Sequence, residues 1–263
     1  MRSSRALVIA SLAVLLWCAD AGAQFAAPGG VVPVVANLPG LANTYWRSDV
    51  NVLNVSETDT EVVLSLFPEL YGGSIAAFEP VQNDPIELPA HQQLTLANVV
   101  QSQFGLVNTK GSLWLSSTSG AKLVISSRTY TQAATGGSYG QDVSSVLVAG
   151  EAWASGVQHD GFYRTNFGIF WPWDMGAGES VHFTVTVYSG DGEAAGSGTV
   201  NFTRAGLVQL SLGEIGVGTL LDGYVHFSCS DTTSPWYAYA SRVDQVSGDA
   251  VFRIARGDQI SGR

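Results

Sequence analysis

Apolar and polar residues alternate along most of this chain with the two-residue period that is typical of half-buried β-strands. The clearest example is residues 180–188, where Val181, Phe183, Val185 and Val187 share one face and polar side chains occupy the other. Clusters of Gly, Ser, Asp and Thr separate such runs, and no long amphipathic helix pattern interrupts them. The pattern predicts an all-β protein of antiparallel sandwich type, with further strands at residues 61–67, 111–117, 123–130, 198–202 and 223–229.

The two halves of the chain resemble each other. The string YWRSDV at residues 45–50 aligns with FYRTNF at residues 162–167. Each copy spans about 110 residues, the size of one seven-stranded sandwich. We therefore predict two tandem immunoglobulin-like antiparallel β-sandwiches, joined end to end, at residues 24–149 and 150–257, with a tail at residues 258–263. Three further matches follow in the same order: 64–67 with 185–188, 111–115 with 223–227, and 127–128 with 241–242.

One short crossover helix is expected at the same place in each copy. In the first copy it covers residues 97–104, with Asn98 as the candidate cap and Gly105 as the stop signal. In the second copy it lies near residues 212–216. We expect each helix to close one end of its sandwich.

These motifs resemble a duplicated module of secreted multidomain proteins from environmental bacteria. The resemblance rests on the aromatic-Arg-Ser/Thr-Asp/Asn motif, on FGL at residues 104–106, on GSL at 111–113 and on SRTY at 127–130. It covers nearly all of residues 31–254. It implies an immunoglobulin-like sandwich, supplies no catalytic residues and implies no known family function. The second copy departs from the pattern with Asn166 for Asp and with Val243 and Asp244 for Thr-Tyr, so the two surfaces need not be equivalent.

The amino-terminal residues have the order of a secretory signal. Arg2 and Arg5 precede an apolar run at residues 6–17, and small residues follow at 21–23. We therefore predict a signal peptide at residues 1–23 and a secreted, extracellular or periplasmic protein. The apolar run is shorter than the ~20 residues that span a bilayer, so no stable membrane span is expected. Bulky Trp17 stands before Cys18, and lipid anchoring at Cys18 is not expected.

The remaining cysteine and the charge balance exclude several classes of protein. After signal removal only Cys229 is left, so no intramolecular disulfide forms, and its strand pattern predicts a buried core residue. The chain has 22 acidic and 12 basic residues, a net charge of −10, which disfavours a nucleic-acid partner. Apolar residues make up 46% of the chain, enough to build a core.

The sequence contains no recognisable catalytic signature. The four histidines lack helical metal-ligand spacing, and no nucleophile elbow or P-loop is present. Carboxylates are numerous, so a glycosidase pair in a cleft between the domains stays open. Asp191 and Glu193 could bind Ca²⁺, although a solvated hairpin turn explains them better. Arg47 and Arg164 recur in both copies; they either bind an anion or tie neighbouring strands together through hydrogen bonds.

Aromatic residues give the main binding hypothesis. Trp171 and Trp173 belong to the string WPWD at residues 171–174, which has no aromatic counterpart in the first copy. Two rings set by a proline would form a platform for sugar rings or a partner protein, with Asp174 beside them. The alternative is that these rings cover the end of the sandwich or the junction between the domains. The longer connection at residues 68–84, with Tyr71 and Phe78, is a further candidate surface.

Three functions are compatible with these features. The first is an exported, non-catalytic structural or surface protein of adhesion type, with no cofactor. The second is a carbohydrate- or protein-binding module that uses Trp171 and Trp173. The third is an extracellular polymer hydrolase.

Overall fold

The computed structural model describes residues 26–40, 44–70, 80–133, 136–144 and 147–257. The expected signal segment with Cys18, the tail, and Tyr71 and Phe78 lie outside the described residues. The predicted all-β class is confirmed, because antiparallel strands make up most of the structure and helices very little of it. The strands of the first half are β1 (Gly29–Pro39), β2 (Tyr45–Asn54), β3 (Thr60–Pro68), β4 (Val81–Gln82), β5 (Ile86–Leu88), β6 (Gln93–Leu96), β7 (Thr109–Ser117), β8 (Leu123–Gln132) and β9 (Ser138–Asp142).

The second half is also built of antiparallel strands. Its strands are β10 (Glu151–His159), β11 (Tyr163–Trp171), β12 (Val181–Ser189), β13 (Ala194–Phe202), β14 (Gly206–Ser211), β15 (Leu220–Cys229), β16 (Tyr237–Asp244), β17 (Ala250–Ile254) and β18 (Arg256–Gly257). They form two sheets, of order β13-β12-β15-β10-β18 and β14-β11-β16-β17. The first half has the matching neighbours β4-β3-β7-β1 and β6-β2-β8-β9. The inner pairs β3-β7 and β2-β6, with β12-β15 and β11-β14 in the second half, correspond to inner pairs of immunoglobulin domains. The first strand (β1 or β10) lies in the sheet of β7 or β15, and β8 or β16 lies in the sheet of β2 or β11. These two strands have exchanged sheets relative to an immunoglobulin domain.

In the first half, β1 connects the two layers. Its residues from Gly29 to Asn37 pair with β7, while Asn37, Leu38 and Pro39 pair with β2. A register shift between Val32 and Val35 marks the place where the strand is irregular. Because one long bent strand pairs on both sides, the two layers form a single continuous hydrogen-bonded sheet.

Both expected short helices are present. Helix α1 (Val99–Phe104) ends at Gly105, whose positive φ of 66° suits glycine. Asn98 is not a side-chain cap, because it adopts a left-handed conformation and its backbone N–H donates to Asp49 Oδ1 at 2.8 Å. The second helix is a single 3₁₀ turn (Leu212–Ile215), which begins with a capping box between Ser211 and Glu214.

One sheet of the second half is buried on both faces. On its inner face, Phe167, Ile169 and Trp171 pack into the core of their own half. On its outer face, Phe170, Leu207, Tyr237 and Tyr239 join the apolar cluster of the first half. Rings of Phe67 and Phe170 meet edge to face across this boundary, with centroids 5.2 Å apart. The expected end-to-end arrangement is therefore wrong: the halves pack through sheet faces, because the outer face of this sheet is apolar.

Strand register corrects the sequence alignment in β16. The alignment equated Ser127 and Arg128 with Ser241 and Arg242, but Arg128 lies opposite Asp49 whereas Arg242 lies opposite Thr165. Thr165 is the aligned counterpart of Ser48, so β16 is displaced by one residue. A one-residue displacement exchanges the two faces of a strand. For this reason Tyr237 and Tyr239 turn toward the first half, and two alanines, Ala238 and Ala240, turn toward the core of their own half.

We predict that Gly168→Ala destabilises this packing. Gly168 lies opposite Tyr239 in the register, and an added Cβ would come within 2.3 Å of the Tyr239 ring. Overpacking of this kind costs about 1–3 kcal/mol, which urea unfolding would measure. Gly161→Ala is the matched control, because its added Cβ meets no atom within 4 Å. Equal unfolding midpoints for the two variants would contradict the close contact.

Candidate functional site

Trp171 and Trp173 do not form one exposed platform. Trp171 is the last residue of β11 and is only 3% exposed; its ring packs edge-on against Phe183, with centroids 6.2 Å apart. Trp173 is 40% exposed, and its indole N–H donates to the carbonyl of Pro235 at 2.6 Å. Asp174 is exposed beside it. This corrects the paired-ring hypothesis: the strand extends through Trp171, and alternation turns that ring inward with Phe167 and Ile169.

A different group of aromatic side chains lies on the outer face of the sheet β13-β12-β15-β10-β18. Trp153 of β10 stacks on His226 of β15, with centroids 5.0 Å apart and planes 18° apart. Tyr188 of β12 stacks on Tyr224 of β15 at 5.1 Å and 16°. Tyr224 and His226 are two residues apart on one strand, so the two stacks stand side by side, about 7 Å apart. We name Trp153, His226, Tyr224 and Tyr188 the aromatic face.

A cavity lies between the two halves, and its volume is about 330 Å³. Strands β1, β2, β7, β8 and β9 supply its wall in the first half, and β11, β14, β16 and β17 supply the opposite wall. The lining mixes aliphatic side chains with amides, hydroxyls, two cations and two aromatic rings. The polar and aromatic lining residues are Trp46, Lys110, Thr129, Gln141, Arg164, Asn166, Gln209, Tyr239 and Ser241.

Arg164 is the unusual charge in this lining. Its side chain is half-buried, and desolvation alone lowers its pKa. Among the described residues no carboxylate lies within salt-bridge distance of its guanidinium, and none of them forms a hydrogen bond with it. The strand-tying role expected for this residue is therefore not seen. By contrast, Arg47, its aligned counterpart, rests over the ring of Tyr45, with its Cζ 5.3 Å from the centroid.

The other charges near the cavity are matched. Lys110 Nζ lies 2.9 Å from Glu69 Oε1, and both side chains are about four-fifths buried. Burial raises the pKa of Glu69, while the neighbouring Lys110 opposes that shift. Burial also raises the pKa of Tyr239, so its hydroxyl stays protonated and donates to Gln209 Oε1 at 2.6 Å. Arg164 is therefore the lining cation that has no acidic partner among the described residues.

The remaining candidate chemistry serves local structure. Cys229 is buried, as predicted, and burial raises the pKa of its thiol to about 11, which suppresses the reactive thiolate. Asp191 accepts a hydrogen bond from the hydroxyl of Ser189 inside its own hairpin turn. Asp231 accepts from the Ser234 hydroxyl and from the backbone N–H groups of Ser234 and Thr233, which lowers its pKa. The described part of the chain contains no cluster of three or more His, Cys, Asp or Glu that could hold a metal ion.

The site therefore belongs to an all-β protein of two packed sandwiches, with a polar cavity between them and an aromatic sheet face outside. No protein-family model matches the chain, and a search of curated proteins finds no match. None of the helices in the described ranges combines the length and apolar character that crossing a bilayer requires. The geometry of the cavity and of the aromatic face is therefore the basis for proposing a function.

We predict that Trp171→Ala and Trp173→Ala differ sharply in stability. Removing the buried Trp171 ring should cost about 3–5 kcal/mol of unfolding free energy, because a large core cavity remains. Trp173→Ala removes a half-exposed ring and one hydrogen bond, so it should lower the unfolding free energy by only about 1 kcal/mol. Guanidinium unfolding of both variants measures the difference. Similar losses would contradict the core position of Trp171.

Proposed function

We propose that this chain is an exported, non-catalytic structural or surface protein of adhesion type, built from two copies of one β-sandwich. The observation that carries the proposal is the sheet β14-β11-β16-β17, which is buried on both faces and packs the two halves against each other. The matching strand order of the two halves supports the duplication, and the terminal sequence pattern supports export. A rigid pair of small sandwiches with large solvated sheet faces suits a spacer or a display scaffold.

The lining of the cavity does not support the hydrolase alternative. Glycoside hydrolysis needs two carboxylic acids at a fixed separation on either side of the scissile bond. The described residues that line the cavity include neither Asp nor Glu. Glu69 pairs with the lining residue Lys110, with Oε1 2.9 Å from Nζ. The arrangement offers hydrogen-bond donors and a cation, which bind a ligand but do not supply an acid and base pair.

Export is tested by expressing the full chain in a bacterium with a general secretory pathway. We expect a processed product outside the cytoplasm whose first residue is Gln24, identified by mass spectrometry of the intact protein. Leu15→Arg with Leu16→Arg should retain residues 1–23, because charges in the apolar run block signal recognition. Val8→Leu keeps the run apolar and is the control. An unprocessed, cytoplasmic wild-type chain would refute the export part of the proposal.

The aromatic face supports a second candidate function, carbohydrate binding. Trp153 is 39% exposed and stacked on His226, and the Tyr188 and Tyr224 stack stands beside it. Flat aromatic rings on a solvated sheet present apolar faces with polar edges, the surface that sugar rings stack on. The face replaces the Trp171 and Trp173 pair as the candidate contact for a glycan.

A glycan array and affinity electrophoresis in polysaccharide gels test this second function. If the aromatic face binds sugars, Trp153→Ala with Tyr224→Ala should weaken retention at least tenfold, because both stacks lose a ring. Trp173→Ala should leave retention unchanged, since Trp173 lies in the loop after β11 and is not part of this face. Equal retention of the double variant and the wild type, or no retention on any polysaccharide, would overturn the carbohydrate-binding candidate.

A further inference from the structure

The cavity between the halves is rich in hydrogen-bond donors that have no acceptor. Gln209 Oε1 accepts from the Tyr239 hydroxyl at 2.6 Å, and Gln141 Oε1 accepts from the Ser241 hydroxyl at 3.1 Å. These bonds occupy the oxygens of the two amides and leave their NH₂ groups as donors, for which the described residues supply no acceptor. Asn166, on the opposite wall from Gln141, adds a third amide.

Arg164 gives this donor-rich lining a net positive charge. Its guanidinium carries five N–H donors in a planar fork, which matches the two oxygens of a carboxylate. Asp244 lines a smaller adjoining cavity of about 80 Å³ that Arg164 also borders, but among the described residues it forms no salt bridge with Arg164. Asp244 Oδ1 already accepts from the backbone N–H groups of Val246 and Ser247 at 2.7 and 2.9 Å. The chain is acidic overall, so attraction of an anion has to come from these local groups.

The rest of the lining indicates an organic ligand. Val34, Ala36 and Leu38 form an aliphatic wall, and Trp46 and Tyr239 add aromatic rings. A cavity of about 330 Å³ falls at the lower end of the range typical for small-molecule sites and is much larger than one inorganic ion needs. Mixed apolar walls with a few convergent polar groups are typical of sites that bind small organic molecules.

We propose that the cavity between the two halves binds a small organic carboxylate that carries further oxygen acceptors, as an acidic monosaccharide does. The carboxylate pairs with the Arg164 guanidinium. Hydroxyl or carbonyl oxygens of the ligand accept from the amides of Gln141, Asn166 and Gln209, and its carbon skeleton rests against Trp46. Both halves contribute, so the site exists only when they are packed together.

Isothermal titration calorimetry of the full chain after removal of residues 1–23 tests this proposal. D-glucuronate and D-galacturonate are the carboxylate probes. D-glucose and D-galactose are the uncharged counterparts, and sulfate is the inorganic anion. We expect at least one of the two carboxylates to bind at least tenfold more tightly than its neutral counterpart and than sulfate. The absence of binding by both carboxylates, or sulfate binding as tight as theirs, would overturn the proposal.

Three variants connect the binding to this cavity. Arg164→Gln should weaken carboxylate binding at least tenfold, whereas Arg47→Gln, which changes the aligned arginine outside the cavity, should leave it unchanged. Gln141→Glu keeps the side-chain shape and the acceptor for the Ser241 hydroxyl but adds a negative charge. It should therefore weaken carboxylate binding as strongly as Arg164→Gln does. It also serves as the independent variant if Arg164→Gln does not fold. Wild-type affinity in folded Gln141→Glu or Arg164→Gln would place the ligand elsewhere and refute the proposal.

Discussion

The structure depends on the double burial of one four-stranded sheet, β14-β11-β16-β17. Most sandwich sheets bury one face and leave the other in water, which produces the alternation of apolar and polar residues. In β11 the residues from Phe167 to Trp171 are all buried, because alternate side chains enter two different cores. Each large apolar side chain buried in this way contributes about 1.5–3 kcal/mol. The second half therefore cannot lose contact with the first without exposing a continuous apolar surface.

The same contact creates the most distinctive polar feature of the molecule. Between the two halves, side chains that include those of β1, β9, β11 and β14 line a cavity. A cation in such a place is normally matched by an acid, as Lys110 is matched by Glu69. Arg164 differs, since burial lowers its pKa without a compensating acid among the described residues. The contrast with Arg47, which rests over a tyrosine ring, indicates different roles for two aligned arginines.

Local patterns predicted a large part of this structure. The strand expected at residues 180–188 is β12, and the helix stop expected at Gly105 is present with positive φ. Burial of Cys229 also followed from alternation with Val225 and Phe227. The candidate site was predicted less well. Trp171 was expected to form an exposed platform with Trp173, but the strand continues through Trp171 and its ring is buried. The aromatic face was missed, since its pairs come from strands distant in sequence.

The sequence by itself determined many of the strands, which face of those strands is apolar, and where helix α1 ends. These properties depend on residues close together in the chain, and a two-residue period reports them directly. Only the tertiary structure decided that β16 turns its tyrosines toward the other half, that the halves meet through sheet faces, and that Arg164 borders a cavity. A register shift of one residue and the packing of one sheet on another are set by contacts between distant segments, so no local pattern encodes them.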